Sequence, residues 1–433
     1  VALPTRKKGY GLNRELVELF SRYGNLLITI DNGTTAIEEL KNSKIETIVL
    51  DHHNPQEELP NALVVNPKID ESAPSELKEV SSVSLCFYLV AMLRKELGVE
   101  VDVRDYLYLT AIGTVADVMP LNPLNRILVK NGIRLLNHIA KGGNTKAYGI
   151  KAMLEGLGIK EITARDIGFY IAPRLNAPGR VSNPYVALKL LLAKDIKTAR
   201  LLYKKVEEYN EKRKRITNLA YERAISQIDK DRNFIVVRLE EWAGGVAGIV
   251  AGRLSNTFGK PSAVFSVRND LATASVRSVE GINIYEVLKK FSDLYVKWGG
   301  HSYAAGLTLR REHLQTFENL MEDALLEVKR EEPKLYIDTK LETYKIDQYL
   351  IDALKSLEPY GEGFPEPVFL SEPLVIEKVE RINGKLIVKT SSGLVFSNFI
   401  DFSIPSSLTH SKRRIAYSID TKSKALKLID LEA

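Results

Sequence analysis

The apolar run Ile45-Glu46-Thr47-Ile48-Val49-Leu50 ends in Asp51-His52-His53. A buried strand that delivers a carboxylate and two imidazoles at its carboxyl end constrains the fold strongly. Such groups need a polar crevice, and open α/β sheets provide one beyond the carboxyl ends of their parallel strands. Asp and His are also donors that divalent Mn, Mg or Zn ions accept. Alone, the tripeptide fits a solvated loop equally well. Two further segments change the balance. LLITI runs into Asp31 and the turn pair Asn32-Gly33, and YLYLTAIGTVADV carries Asp117 at the end of an apolar, partly helical stretch. A single Asp at a strand end is ordinarily a cap or turn residue. Three acidic segment ends in one region read as a metal cluster.

The fold class that follows is α/β. Residues 1–195 alternate apolar strands with amphipathic segments such as RELVELFSRY, the pattern of a parallel sheet flanked by helices. Residues 196–231 read as one connecting helix without Pro or Gly. Its KKVEEYNEKRKR charges form either a solvated face or a nucleic-acid contact. A second, smaller α/β unit spans 232–330, with strands FIVVRL and PSAVFSV around the helix VAGIVAGRLSNTF. After the hinge KREEPK, residues 335–433 shift to short strands and turns, which suggests a small β-barrel.

With 433 residues and 45% hydrophobic content, the chain is long enough for more than one core. Its single cysteine excludes an internal disulfide framework, and Cys86, inside SLCFYLVAML, reads as a packed thiol rather than a nucleophile. A formal charge of +6 permits an acidic polymer as partner without demanding one. No apolar run of spanning length and no amino-terminal signal pattern occur, so no membrane association and a cytoplasmic location are expected.

Phosphate chemistry is suggested by three basic or glycine-rich motifs. IAPRLNAPGR is expected to be a Pro- and Gly-bent loop presenting Arg174, Asn176 and Arg180, whose guanidinium forks can grip phosphate oxygens or tie the loop to carboxylates. WGGHSYAAG offers the backbone N–H groups of Gly299 and Gly300, followed by His301 ahead of an expected small-residue helix. TASVRS adds Ser275, Arg277 and Ser278.

TIDNG, LDHH and GTVADV resemble the second, third and fourth motifs of the DHH phosphoesterase superfamily. KKGYGLN, IAPRLNAPGR, GVAGIVAGRL, SVRS, WGGHSYAAG and EPYGEGFPEPVF resemble, in the same order, the RecJ family of single-strand-specific exonucleases. The resemblance implies a DHH domain, a connecting helix, a DHHA1-type domain and an oligonucleotide-binding barrel. It also implies a metal-dependent 5′-to-3′ exonuclease of single-stranded DNA, working in DNA repair and recombination with two divalent ions, Mn2+ or Mg2+. Asp31, as the bridging carboxylate, His52 and Asp117 are the implied metal ligands. Asp51 becomes a partner that fixes an imidazole, and His53 a phosphate contact or proton donor. Ser275, Arg277 and Ser278 correspond to the family's anchor for a terminal phosphate, with Gly299, Gly300 and His301 beside it. The implied partners are single-stranded DNA, a helicase and a single-strand-binding protein, with the chain itself a monomer.

Two departures qualify the match. The family's first motif, of the form D-x-D-A-D-G, falls before VALPTRKKGYGLN and outside these residues, so the sequence is expected to be a fragment or to have a separately encoded start. Ala243 stands where relatives commonly carry His, which is expected to remove a polar group from the substrate channel. Two other classes stay open: a DHH phosphoesterase of short oligonucleotides or cyclic dinucleotides, and a non-catalytic replication scaffold. Tyr360, Phe364 and Phe369 either stack on bases or fill the junction between domains.

Overall fold

The computed structural model describes residues 1–3, 11–328, 334–382, 385–398 and 409–432. Most of KKGYGLN and of the KREEPK hinge lies outside the described residues. The chain forms two compact units, one of Val1–Tyr10 with Arg174–Leu335, the other of Gly11–Pro173 with Tyr336–Ala433.

The second unit begins with helix α1 (Arg14–Ser21), whose Asn13 side chain caps the Leu16 N–H at 3.0 Å. Strands β1 (Leu26–Ile30), β2 (Glu46–Leu50) and β3 (Leu63–Val65) form a parallel sheet in that order. Leu27 and Val49 pack with Val17 and Leu40, whereas Leu26, Ile28, Ile30, Leu63 and Val65 are exposed. Helices α2 (Ser82–Glu96), α3 (Leu107–Ala116) and α4 (Pro123–Ala140) follow. Helix α3 approaches both neighbours closely because glycines stand at the contacts. A β carbon on Gly113 would lie 2.3 Å from Val83 Cγ1, and one on Gly132 would lie 2.3 Å from the Leu107 carbonyl oxygen. This packing fixes the end of α3, where Asp117 sits.

Residues 167–171 form a π turn that runs directly into helix α5 (Ala172–Val181). The motif IAPRLNAPGR is therefore helical, not the loop that its prolines suggest. Pro178 removes one helical hydrogen bond, but burial of Ile171, Ala172, Ala177 and Pro178 holds the segment in place. Tertiary packing outweighs local propensity there.

In the other unit, helix α6 (Ile196–Ile225) is capped by Asp195, which accepts from the Thr198 N–H at 2.8 Å. Its last turns bring Ala220, Tyr221 and Ala224 into a core with Val237, Leu239, Val250 and Leu254. The sheet of this unit has the order β4 (Ile235–Glu240), β5 (Ser262–Arg268), β6 (Leu271–Arg277), β8 (Ala304–Arg310), β7 (Tyr295–His301). Helix α7 (Ala247–Phe258) contributes to the core shared with α6. Phe317 and Met321 of α8 (Leu314–Leu326) pack with Ala272, Ala274 and Val276 of β6. SYAAG is the turn and start of β8, because Ala305 and Leu307 alternate inward at strand spacing, and not the expected small-residue helix.

Among the described residues beyond 335, an eight-stranded, mainly antiparallel sheet packs around Ile376, Val388, Phe396, Tyr417 and Leu428, joined by Ile351 and Leu354 of helix α9 (Gln348–Leu357). Within the same unit this segment docks on the earlier helical region. Lys355 pairs with Glu161 at 2.7 Å, and Lys422 donates to the Glu161 carbonyl at 2.8 Å.

Substituting Gly113→Ala forces a methyl against Val83 and is expected to destabilise the protein by about 1–3 kcal/mol in chemical denaturation. A second change, Val83→Ala, is expected to restore part of the loss.

Candidate metal centre and phosphate-facing sheet

Asp31 and Asp51 follow the paired ends of adjacent parallel strands, since Ile30 is in register with Leu50 and the Asp31 N–H donates to the Leu50 carbonyl at 2.9 Å. Asp31 has φ +64, a left-handed conformation that Asp tolerates better than most residues. Gly33 completes the turn at φ +117, where a β carbon would come within 2.7 Å of Thr29 Oγ1. Thr29 Oγ1 donates to the Asn32 carbonyl at 2.9 Å, and the Asn32 amide donates to the Ile30 carbonyl at 2.8 Å.

Asp51 is 1% exposed, and both oxygens of its carboxylate are hydrogen-bonded. It accepts from the Thr34 N–H (3.0 Å), the His52 N–H (2.9 Å), the His53 N–H (3.3 Å) and His53 Nδ1 (2.7 Å). Burial opposes its charge, but the hydrogen bonds from His53 and Thr34 prevail and hold this carboxyl well below the usual range. The same bond raises the His53 pKa above its ordinary value against the opposing effect of burial. Asp51 is therefore bound to the His53 ring rather than to that of its neighbour His52.

His52 is buried, and its Nε2 lies 3.3 Å from Asp31 Oδ1 and 3.2 Å from Asp117 Oδ2. Its Nδ1 has no hydrogen-bond partner among the described residues. Asp31, His52 and His53 each offer a donor atom within 4.8 Å of the others. Burial, countered by His52 and reinforced by Asp31, raises the pKa of Asp117. Two carboxylates converging on an imidazole nitrogen make a donor set suited to a divalent cation, which would relieve the repulsion that the carboxylates impose on each other.

Three supporting residues escape the sequence reading: Thr34, whose N–H binds Asp51, and Asn66 and Lys68. Asn66, buried just beyond β3, donates to Thr34 Oγ1 at 3.1 Å and to the His53 carbonyl at 2.8 Å, so that one amide links the ends of all three strands. The only signal was its place after LVV, where Asn before Pro reads as a turn former. Lys68 adds positive charge that acts on Asp117. Burial, followed by the charge of Asp31, pushes the Cys86 thiol up to about 11, against a nucleophilic thiolate.

In the other unit the strand register gathers most of the remaining candidates. Ser275 aligns with Gly306 and Gly299, and Arg277 aligns with Ala304 and His301. Residues directly opposite across antiparallel strands share a face, so Ser275, Arg277, Gly299 and His301 occupy one side while Ala274 and Val276 are buried on the other. A β carbon on Gly299 would meet nothing within 4 Å, leaving an open floor of small residues. Helix α7 borders this face at Gly248, where a β carbon would come 3.0 Å from Arg277 Nη2 and 3.4 Å from Ser275 Oγ. Gly300 lies against β8, where a β carbon would come within 2.5 Å of Ala305 Cα. The Ser278 hydroxyl donates to the Ile282 carbonyl at 2.7 Å and is occupied structurally.

Arg174 is paired with Glu207, Nε to Oε2 at 2.5 Å and Nη2 to Oε1 at 3.0 Å. Arg180 donates to the Gly245 carbonyl at 3.4 Å, Gly245 being packed so closely that a β carbon would overlap the Arg180 carbonyl oxygen. Asn176 is exposed. Ala243 is fully buried in the apolar core of α6 and α7, so this position lies in packing and not on a polar channel wall.

Comparisons with known proteins agree with this architecture. The DHH family amino-terminal domain matches residues 2–114, the DHHA1 domain 231–327 and the RecJ OB domain 337–423. The fold class is thus a parallel-sheet DHH domain, a DHHA1 domain and an oligonucleotide-binding domain. The single-stranded-DNA-specific exonuclease RecJ of Haemophilus influenzae is 31% identical over 96% of this chain and 78% of its own length. The Escherichia coli protein of the same name is 32% identical over 85% of this chain and 68% of its own. The crystal structure of Thermus thermophilus RecJ in complex with Mn2+ superposes with a TM-score of 0.82 at 27% identity, covering 97% of this chain and 63% of that one. This chain belongs to the RecJ family. It spans 49% of the Bacillus subtilis relative. No helix among the described residues is long and apolar enough to cross a membrane.

Replacing Asp51 by Ala is expected to leave His53 unoriented and to shift its titration down toward the ordinary histidine range, followed by NMR of the imidazole without nucleic acid.

Proposed function

We propose that this chain is the hydrolytic portion of a divalent-metal-dependent exonuclease that degrades single-stranded DNA from its 5′ end. The observation that carries the reading is the convergence of Asp31 and Asp117 on His52 Nε2, in a member of the RecJ family. Asp31, His52 and Asp117 would help to hold two divalent ions, Mn2+ or Mg2+. Bound there, the ions would activate water and offset the charge that develops on the phosphate.

The chain's own groups do the rest. Asp51 fixes His53 through the bond to its Nδ1, which orients the imidazole to serve a phosphate oxygen or the leaving group. Ser275, Arg277 and His301 line the glycine floor, where a terminal phosphate can approach the backbone of Gly299 and Gly300. Ser278 supports that row through its bond to Ile282. Arg180 and Asn176 contribute charge and polarity from α5, whereas Arg174, paired with Glu207, ties α5 to α6.

The oligonucleotide-binding domain supports a polymeric substrate over a short oligonucleotide or cyclic dinucleotide. The intact donor set supports catalysis over a scaffold role. The reading places the protein in the cytoplasm as a monomer, beside a helicase that supplies single strands and a protein that coats them. Its domains would run 1–195, 196–231, 232–330 and 335–433.

The decisive substitution is Asp31→Asn in the full natural polypeptide, because Asn also tolerates the left-handed backbone and so isolates the charge. Hydrolysis is expected to fall about 100-fold or more while single-strand affinity stays nearly unchanged, and retention of more than about a tenth of the natural rate would overturn the assignment. For the phosphate row, Arg277→Ala is expected to slow degradation of 5′-phosphorylated strands about ten- to 100-fold more than that of 5′-hydroxyl strands. Equal slowing in a time course of both substrates would make Arg277 structural.

A further inference from the structure

The segment that follows Asp117 is held by a turn from far along the chain. Val118 and Met119 donate their N–H groups back to the Val115 and Thr114 carbonyls of α3, at 3.2 and 3.0 Å. Pro120 has no N–H to give. The Leu121 N–H donates instead to the Glu362 carbonyl at 2.7 Å. Glu362 belongs to the turn Tyr360-Gly361-Glu362-Gly363-Phe364, closed by reciprocal bonds between Gly361 and Phe364 at 2.9 and 3.1 Å.

Both glycines of this turn face the loop. A β carbon on Gly361 would come 2.9 Å from Leu121 Cδ1, and one on Gly363, at φ +69, would come 3.3 Å from Pro120 Cβ. Phe364 stacks on Tyr360 with ring centroids 5.8 Å apart. The Arg126 guanidinium lies 4.6 Å over the Phe364 ring and also donates to the Leu357 carbonyl. Lys130 adds a bond to the Ser356 carbonyl at 3.2 Å. Tyr360 and Phe364 thus fill a junction within this unit, and Phe369 is buried in the barrel core.

We propose that the Tyr360–Phe364 turn is a positioning element for the metal centre, holding the Val118–Leu121 loop and through it the carboxylate of Asp117. The sequence EPYGEGF then serves the metal centre instead of stacking on bases, and the carboxyl-terminal domain becomes part of the scaffold of a ligand. The inference rests on the reading of Asp117 as a metal ligand.

The test is Gly361→Val in the full natural polypeptide. The φ of Gly361 is not left-handed, so the new side chain is opposed chiefly by Leu121. Hydrogen–deuterium exchange over residues 117–122, without metal, is expected to speed up about tenfold, and Mn2+ affinity without DNA to fall about tenfold. Turnover should drop by a similar factor while KM for single-stranded DNA stays within about twofold. Adding Leu121→Ala should restore most of the loss. Val388→Ala, a barrel-core change remote from the loop, should leave exchange and affinity within about twofold. Unchanged loop exchange and metal affinity in Gly361→Val, or equal effects from Val388→Ala, would overturn the proposal. If the natural polypeptide bound no Mn2+, the nuclease reading would fail separately, and loop exchange alone would decide whether the turn holds the loop.

Discussion

The carboxylate of Asp51 is the group on which the metal centre depends. A buried charge at a strand end costs several kcal/mol unless it is fully hydrogen-bonded. Here four donors from Thr34, His52 and His53 close around it. That arrangement decides the roles within the tripeptide. Oδ1 of Asp51 takes three of these bonds and Oδ2 the one from Thr34, His53 is bound to this carboxylate, and His52 is turned toward Asp31 and Asp117. One internal anion thereby separates three consecutive polar residues, binding His53 and leaving His52 to face the two carboxylates.

Legibility from sequence followed physical distinctness. Asp31, His52 and Asp117 stood out because a carboxylate or imidazole ending an apolar run has few inexpensive explanations. Thr34 and Asn66 did not, because small polar residues after strands are ordinary turn formers, and only the packed strand ends reveal that their groups meet. IAPRLNAPGR was misread for a related reason. Proline and glycine carry a strong local signal for loops, whereas the π turn and the burial that keep this segment helical arise from distant contacts. The small residues of SYAAG suit helix or strand, and pairing with β6 and β7 decides between them.

The phosphate-facing candidates show the complementary case. Ser275, Arg277, Gly299 and His301 are far apart in sequence, and no spacing rule unites them. The antiparallel register does, by placing Ser275 beside Gly306 and Gly299, and Arg277 beside Ala304 and His301. Glycine contributes there through the missing side chain, since any larger residue at 299 would occupy the floor that the open face presents.

The three-stranded sheet that carries the metal donors has a further property. Among the described residues β1 is its edge strand, and Leu26, Ile28 and Ile30 on that strand are each about half exposed. An edge with unpaired backbone groups and a row of aliphatic side chains is a template for an added strand. This edge strand leads straight into Asp31, so a strand added there would stiffen the backbone that presents the carboxylate.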